Sequence, residues 1–141
     1  FIPMLMDTGG NSGSQACVSI IRGISLNEIE FRDLGKVVWK EIRVSILCGV
    51  CLAVACFAKI VVVDMLLLRS ESVSYMVAFV VCATMAVTVC LAKIVGSTLP
   101  LLAKKLGFDP AVMASPIITT IVDFLSLLVY FAFATAMLGI G

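Results

Sequence analysis

The sequence predicts an all-α integral membrane protein, a multi-pass helical bundle with four spans and one interfacial amphipathic helix. Of its 141 residues, 62% are hydrophobic and 13% are charged, and the mean hydropathy is +1.19. A water-soluble domain of this size cannot bury so much apolar surface. Uncharged runs of about twenty residues recur along the chain, the length that crosses a bilayer core. The charged residues are concentrated between those runs.

The first predicted span covers about residues 1–21 and is rich in small residues. Gly9 and Gly13 are spaced so that another helix could approach closely inside a membrane. Asp7 and Asn11 recur at helical spacing and give the span a polar face. We therefore predict that this helix packs closely, and that it could pair with the last span.

The segment after the first span carries most of the charge. Ser25–Glu28 has the pattern of a capping box and predicts an interfacial helix over about residues 26–40, anchored by Trp39. Residues 44–63 are the second predicted span. Lys59 lies one turn from the end of that span, where its amine can reach the membrane surface.

The third predicted span covers about residues 73–102, and we expect Lys93 to lie at the boundary of its uncharged part. Gly107 is expected to end this helix. Asp109 and Pro110 are suited to the first positions of the last helix, which gives a fourth span over about residues 110–139.

Asp123 is a formal charge inside the last apolar run. A carboxylate deep in a bilayer is costly, and such residues usually mark ion or substrate paths. Polar residues recur around Asp123 in steps of four, four, three and four, so they share one face of a helix. They are Ser115, Thr119, Asp123, Ser126 and Tyr130. That face predicts the wall of a hydrated pathway. The alternative is a helix–helix seam whose polar side chains bond to each other.

Charge and residue types exclude several function classes. The net charge of +1 does not suit a nucleic-acid partner, and the sequence has no His for imidazole metal sites or proton relays. Cys48 and Cys51 have the C-x-x-C spacing, but they fall inside a predicted span. We interpret all six cysteines as small packing residues.

The distribution of Lys and Arg predicts the orientation in the plasma membrane. The connections over about residues 22–43 and 103–109 carry most of these cations, so the positive-inside rule assigns both to the cytoplasm. Gly141 is then outside. The chain begins with Phe1, and we expect it to be a fragment whose upstream part is missing.

Several sequence blocks resemble the MgtE family of magnesium channels. The Gly-Gly-Asn-x-Gly-x-Gln signature of that family is similar to Gly9-Gly10-Asn11-Ser12-Gly13-Ser14-Gln15 in this sequence. Later blocks that resemble the family in the same order are Arg22-Gly23 followed by Glu28, Gly96-x-x-Leu99-Pro100, Gly107-x-Asp109-Pro110-Ala111 and Ser115-Pro116-x-x-Thr119-Thr120-x-x-Asp123.

The resemblance implies a homodimer with five membrane helices per subunit, of which this chain would be helices two to five. It would then lack the first membrane helix and any cytoplasmic regulatory, Mg²⁺-sensing domains. The implied function is a Mg²⁺ channel with its pore on the dimer axis, lined by the first and last helices present here. Mg²⁺ is the implied transported and bound ion. The implied metal contacts are Asp123 and, at the cytoplasmic side, Asp109; the expected pore-lining residues are Asn11, Ser115, Thr119, Gln15 and Asp7.

The alternative functions are a secondary divalent-cation transporter and, more remotely, an intramembrane aspartyl protease. A secondary divalent-cation transporter, or antiporter, could use the same polar faces. An intramembrane aspartyl protease would need Asp7 and Asp123 as a dyad at one depth. We expect Asp7 near the outer end of its span and Asp123 at the centre, so the sequence predicts that the protein is not an enzyme.

Overall fold

Helix α3 is the central element of the bundle. The computed structural model describes residues 1–68, 73–113 and 116–139. Helix α3 packs against each of the other three helices, α1 also packs along α4, and α2 joins the bundle mainly through α3. The helices in these ranges are α1 (Ile2–Ser25), α2 (Leu34–Lys59, continued as a π-helix over Ile60–Leu67), α3 (Tyr75–Lys105) and α4 (Pro116–Leu138).

Three helical segments in the described ranges are long and apolar enough to cross a membrane: Phe31–Asp64, Tyr75–Lys105 and Pro116–Met137. The prediction of an all-α, multi-pass membrane protein is thereby confirmed. Helix α1 has 24 residues, about 36 Å of helix at 1.5 Å per residue. It is long enough to cross, but its polar face makes it less apolar, so a fourth span at α1 stays a prediction.

The apolar core follows α3 from one end of the bundle to the other in three clusters. The members of each cluster come from at least three different helices, so the core holds the whole bundle together. The clusters are Leu5, Cys56, Ile60, Ala78, Val81, Cys82 and Met85; then Cys17, Ala92, Ile118 and Val122; then Ile20, Ile24, Val37 and Leu101.

The interfacial helix predicted over residues 26–40 does not begin at residue 26, so that part of the prediction is wrong. The Ser25 hydroxyl donates a hydrogen bond to the carbonyl of Ile21 at 2.9 Å, so it belongs to the last turn of α1 and does not cap a new helix. Asn27 follows with φ 57°, the left-handed conformation that ends a helix and that Asn tolerates better than most residues. Local side-chain bonding by Ser25 thus outcompetes the capping box.

A capping box does form a few residues later. The amide of Glu30 donates to Oδ2 of Asp33 at 3.1 Å, and the Glu30 side chain accepts from the Asp33 backbone. A short 3₁₀ turn over Phe31–Asp33 leads directly into α2. Residues 34–40 are therefore the first turns of α2, where Trp39 is exposed as expected for an interfacial anchor.

The last predicted span, residues 110–139, is divided in the structure. A 3₁₀ turn covers Pro110–Met113, and α4 begins at Pro116. Oδ1 of Asp109 accepts a hydrogen bond from the amide of Ala111 at 2.9 Å, which is the predicted capping role at a shorter element. Proline lacks an amide hydrogen, so Pro116 fits the start of a helix better than its interior.

The two ends of the bundle differ in charge. Nζ of Lys105 lies 4.1 Å from the ring centroid of Phe31, so the end of α3 and the first connection share one end. At the opposite end Nζ of Lys59 lies 2.7 Å from Oδ2 of Asp64. The exposed cations at the Lys105 end are Arg22, Arg32, Lys36, Lys40, Arg43 and Lys104.

Candidate functional site

Helix α1 turns a glycine face toward α3 and α4. A Cβ at Gly9 would lie 2.7 Å from Cγ2 of Thr88 on α3 and 3.0 Å from Cγ1 of Val122 on α4. A Cβ at Gly13 would lie 3.1 Å from the carbonyl oxygen of Ala92. These separations are too short for a side chain, so the glycines allow α1 to lie in the groove between the two helices.

Asp123 lies beside this crossing. A Cβ at Gly10 would be 3.6 Å from Oδ1 of Asp123 and 3.3 Å from Cγ2 of Thr119. Both α4 side chains are half-buried. The Thr119 hydroxyl donates to the carbonyl of Pro116 at 3.0 Å. The carboxylate of Asp123 therefore faces the α1 backbone where α1 crosses α4.

The rest of the polar stripe on α4 is inside the α1–α4 seam. Ser126 is buried and its hydroxyl donates to the carbonyl of Val122 at 2.7 Å. Tyr130 packs on the core cluster that contains Leu5 of α1. Ser126 and Tyr130 therefore lie in a helix–helix seam, which was the alternative prediction, and do not line an open pathway. Ser115, the first residue of the stripe, lies outside the described residues.

Asp7 is one turn before Gly10 on α1, and Gly10 lies against Asp123. Gly10 is level with Asp123, so Asp7 lies three residues away along α1, about 4.5 Å in depth at 1.5 Å per residue. This difference is smaller than the sequence suggested. Helix α1 begins only five residues before Asp7, and Asp123 is the eighth residue of α4, so neither is at the centre of its helix. Two carboxylates at similar depth in one bundle repel each other unless a cation is present between them.

A polar cleft opens on the side of α1 that faces away from the core. Asp7, Asn11 and Gln15 are exposed on this side, at the same helical face that the sequence predicts. The cleft has a volume of about 410 Å³ and lies between α1 and α2, over α3. Its lining residues, which define the α1–α2 cleft, are Asp7, Thr8, Asn11, Ser12, Gln15, Cys48, Cys51, Leu52 and Lys93.

Two buried hydroxyls near the glycine face lack a hydrogen-bond partner among the described residues. They are Oγ of Ser14 and Oγ1 of Thr88. Ser14 is one turn beyond Gly10 on α1, and Thr88 meets α1 at Gly9. Unpaired buried hydroxyls are costly, so these atoms favour water or an ion nearby.

Asp109 does not join this group. It is exposed, caps its own turn, and lies at the end of the bundle where the cationic connections are. Within the described residues, no set of three or more His, Cys, Asp or Glu side chains is arranged to hold a bare metal ion. The structure thus places Thr119 and Asp123 against Gly10 of α1, one turn from Asp7, with Asn11 and Gln15 on the adjoining face of α1.

Two features were missed by the sequence analysis. Glu41 is in the charged segment after the first span, and Lys93 was expected at the boundary of an uncharged run. Both are buried and form an ion pair with 3.7 Å between Nζ and Oε2. Cys17, Cys56 and Cys82 are buried as predicted, but Cys48 and Cys51 line the cleft. A usable signal existed, because Glu41 is in register with the small residues Ser45 and Gly49, which mark the face of α2 toward α3.

Comparison with known proteins gives one family. Residues 2–133 match the MgtE family model, described as a divalent cation transporter. The chain is 33% identical over 138 residues to the magnesium transporter MgtE of Bacillus subtilis, and 33% identical over 138 residues to that of Thermus thermophilus. It is 30% identical over 135 residues to the magnesium transporter MgtE of Enterococcus faecalis.

These matches cover 96–98% of this chain but only 28–29% of each relative. The chain therefore spans less than a third of the length of the curated relatives it matches. The matched region includes the glycine face, the polar face of α1, and Asp123 on α4. On this near-complete match, the chain belongs to the MgtE family of divalent cation transporters.

Proposed function

We propose that this chain forms the membrane part of a magnesium channel in which Asp123 holds the ion within the bilayer. The observation that carries the proposal is the carboxylate of Asp123, half-buried against Gly10 of α1, which is one turn from Asp7 on the same helix. A carboxylate kept inside a membrane bundle has a large cost that ion binding offsets. The relatives' names, magnesium transporter, support Mg²⁺ as the ion.

The chemistry of the surrounding groups favours a hard cation. Carboxylate, hydroxyl and amide oxygens from Asp7, Asn11, Thr119 and Asp123 lie on adjoining faces of α1 and α4. Oxygen donors suit Mg²⁺, whereas Zn²⁺ and Cu⁺ prefer nitrogen and sulfur. Asp123, the central group of the proposed site, is on α4, whereas the cysteines of the α1–α2 cleft are on α2.

The ion is expected to keep most of its water shell. Mg²⁺ requires six oxygens in octahedral geometry and loses water reluctantly. One protomer supplies few protein oxygens near Asp123. A hydrated ion held through hydrogen bonds from its waters to the two carboxylates fits this supply better than direct coordination.

The exposed polar face of α1 supports a homodimer. Asp7, Asn11 and Gln15 are exposed in a helix that packs inside a membrane bundle. Polar side chains exposed to lipid are costly, so another protein surface or water must cover them. A second copy related by a two-fold axis would cover the face and double its oxygens, forming an acidic ring that selects cations.

The orientation proposed here follows the charge of the two ends. The connections over residues 22–43 and 103–109 lie at the cation-rich end, which the positive-inside rule assigns to the cytoplasm of the plasma membrane. Asp109, exposed at this end, is proposed as a separate cytoplasmic contact for the ion. The upstream regulatory domain implied by the family resemblance would lie on the same side of the membrane.

Mg²⁺ flux into liposomes containing the protein tests the central assignment. Asp123→Asn keeps size and hydrogen bonding but removes the charge, so flux should fall by about ten- to a hundredfold, the loss of one charge-assisted interaction. Asp123→Glu should keep part of the flux. Glu28→Gln, which removes an exposed charge far from the site, is the matched control. Wild-type flux in the Asn variant would overturn the proposal, and unitary current steps in planar bilayers would establish a channel.

A further inference from the structure

A buried ion pair joins α2 to α3 within the membrane bundle. Nζ of Lys93 lies 3.7 Å from Oε2 of Glu41, and the two side chains are only 11% and 9% exposed. Two buried charges are stable together because each offsets the desolvation of the other, whereas either one alone is strongly unfavourable. Sequence reasoning placed neither residue in the interior.

Lys93 has a second neighbour besides Glu41. Its side chain lines the α1–α2 cleft together with Asp7, Asn11 and Gln15, while Glu41 is not part of that lining. Lys93 is therefore the cationic residue among those that line this cleft, which borders the polar face of α1. Glu41 lies behind it and compensates that charge from the side of α2.

The compensation matters for a cation moving along α1. With Glu41 ionised, the pair is neutral overall and the carboxylate of Asp7 dominates the local field. Without Glu41, an uncompensated ammonium group would share the cleft with Asp7 and repel a divalent ion. Charges about 10 Å apart inside a protein interact strongly enough to change the occupancy of a divalent cation by about tenfold or more.

We propose that Glu41 is a charge-setting residue that neutralises Lys93 and so keeps the polar face of α1 accessible to divalent cations. The inference rests on the proposed Mg²⁺ transport for its functional consequence. It assigns a specificity role to a residue that does not touch the ion. It also predicts an asymmetry: removing the carboxylate impairs cation entry, whereas removing the ammonium group does not.

Mg²⁺ flux at a series of concentrations tests that asymmetry. Glu41→Gln should raise the half-saturating Mg²⁺ concentration by about tenfold. Lys93→Met removes the positive charge and should not raise it, although the protein should be less stable because Glu41 loses its partner. The double variant Glu41→Gln/Lys93→Met is neutral again and should return toward the wild-type concentration. Equal impairment in both single variants, with no recovery in the double variant, would show that the pair is only structural.

A second measurement reports the charge of the cleft without transport. With Cys51 as the remaining cysteine, its rates of reaction with an anionic and a cationic methanethiosulfonate give a ratio that depends on local charge. Glu41→Gln should raise the anionic-to-cationic ratio several-fold, and the double variant should reverse the change. A cysteine at exposed Asn27 should show the same ratio in every background. An unchanged ratio at Cys51 overturns the inference.

The two proposals fail separately. Lost flux in Asp123→Asn together with an unchanged Cys51 ratio in Glu41→Gln would retain magnesium transport and reject the role of Glu41. A changed Cys51 ratio with normal flux in Asp123→Asn would retain Glu41 as the residue that sets the cleft charge and reject the ion site at Asp123.

Discussion

The backbone carbonyl of Gly13 on α1 lies directly against Gly96 on α3. A Cβ at Gly96 would overlap the carbonyl oxygen of Gly13 and lie 2.9 Å from its carbonyl carbon. This is the closest contact that α1 makes at its glycine positions with another helix. Gly10, whose Cβ position is 3.6 Å from Oδ1 of Asp123, is less than one turn of α1 from this crossing.

The first prediction concerns this crossing. Gly96→Ala should destabilise the protein by about 1–3 kcal/mol, the usual cost of overpacking a core, because the carbonyl of Gly13 is backbone and cannot rotate away. Gly35→Ala is the control, since nothing lies within 4 Å of its Cβ position. It should be neutral or slightly stabilising. Thermal unfolding in detergent measures both, and equal stability of the two variants would contradict the tight crossing.

Much of the fold could be predicted because apolar length and small-residue spacing are local signals. Runs such as residues 44–63 predict helices without any knowledge of their neighbours. Gly107 has φ 82° and ends α3 as expected, because only the local backbone decides that position. The starts of helices were harder to predict. The hydroxyl of Ser25 could cap a new helix or bond to a carbonyl of α1, and the local sequence is compatible with both.

Burial of charge could not be predicted from local pattern. Glu41 and Lys93 are 52 residues apart, and each looks like a surface charge until α2 and α3 pack together. The same limit applies to Cys51, which faces a cleft that exists only because α2 contacts the bundle mainly through α3. The interior position of Asp123 was easier to predict, because a carboxylate inside an apolar run is unusual however the helices pack.

The second prediction concerns orientation. A cysteine at Asn27, exposed at the cation-rich end, should react with a membrane-impermeant maleimide only from the cytoplasmic side. A cysteine at Ser74, exposed at the start of α3, should react only from outside. Intact cells and inverted vesicles of a variant without the native cysteines provide the two sides. Labelling with the opposite pattern would reverse the proposed topology.

The third prediction is that the α1–α2 cleft contains water. Cys51 is exposed in the cleft, whereas Cys56 is 6% exposed and packed in the core, although the two are little more than one turn apart on α2. A hydrophilic maleimide should therefore label Cys51 much faster than Cys56, because thiolates form and react in contact with water. Single-cysteine variants at the two positions are compared by mass spectrometry. Similar slow rates would indicate a dry cleft.

The fourth prediction is that Asp7 and Asp123 act on the same ion. Asp7 is one turn from Gly10, which lies against Asp123, and a divalent cation near both carboxylates would relieve their repulsion. Asp7→Asn should raise the half-saturating Mg²⁺ concentration by about three- to tenfold. This change is smaller than the fall in flux expected for Asp123→Asn. If one ion contacts both groups, the double variant should lose less than the sum of the single losses. Strictly additive losses would place the two carboxylates on separate ions.

The last prediction concerns the surface that covers the polar face of α1. If a second copy covers it across a two-fold axis, residue 11 of one copy comes near residue 11 of its partner. A cysteine introduced at Asn11 in a variant without the native cysteines should then give a covalent dimer with a short bismaleimide. Val54→Cys, on the exposed apolar face of α2, is the control and should remain monomeric. Both positions are exposed in one protomer, so exposure alone cannot produce the difference. A dimer formed through position 54 and none through position 11 would show that α2, and not α1, faces the second copy. The oxygen ring proposed for Mg²⁺ would then lack its second half.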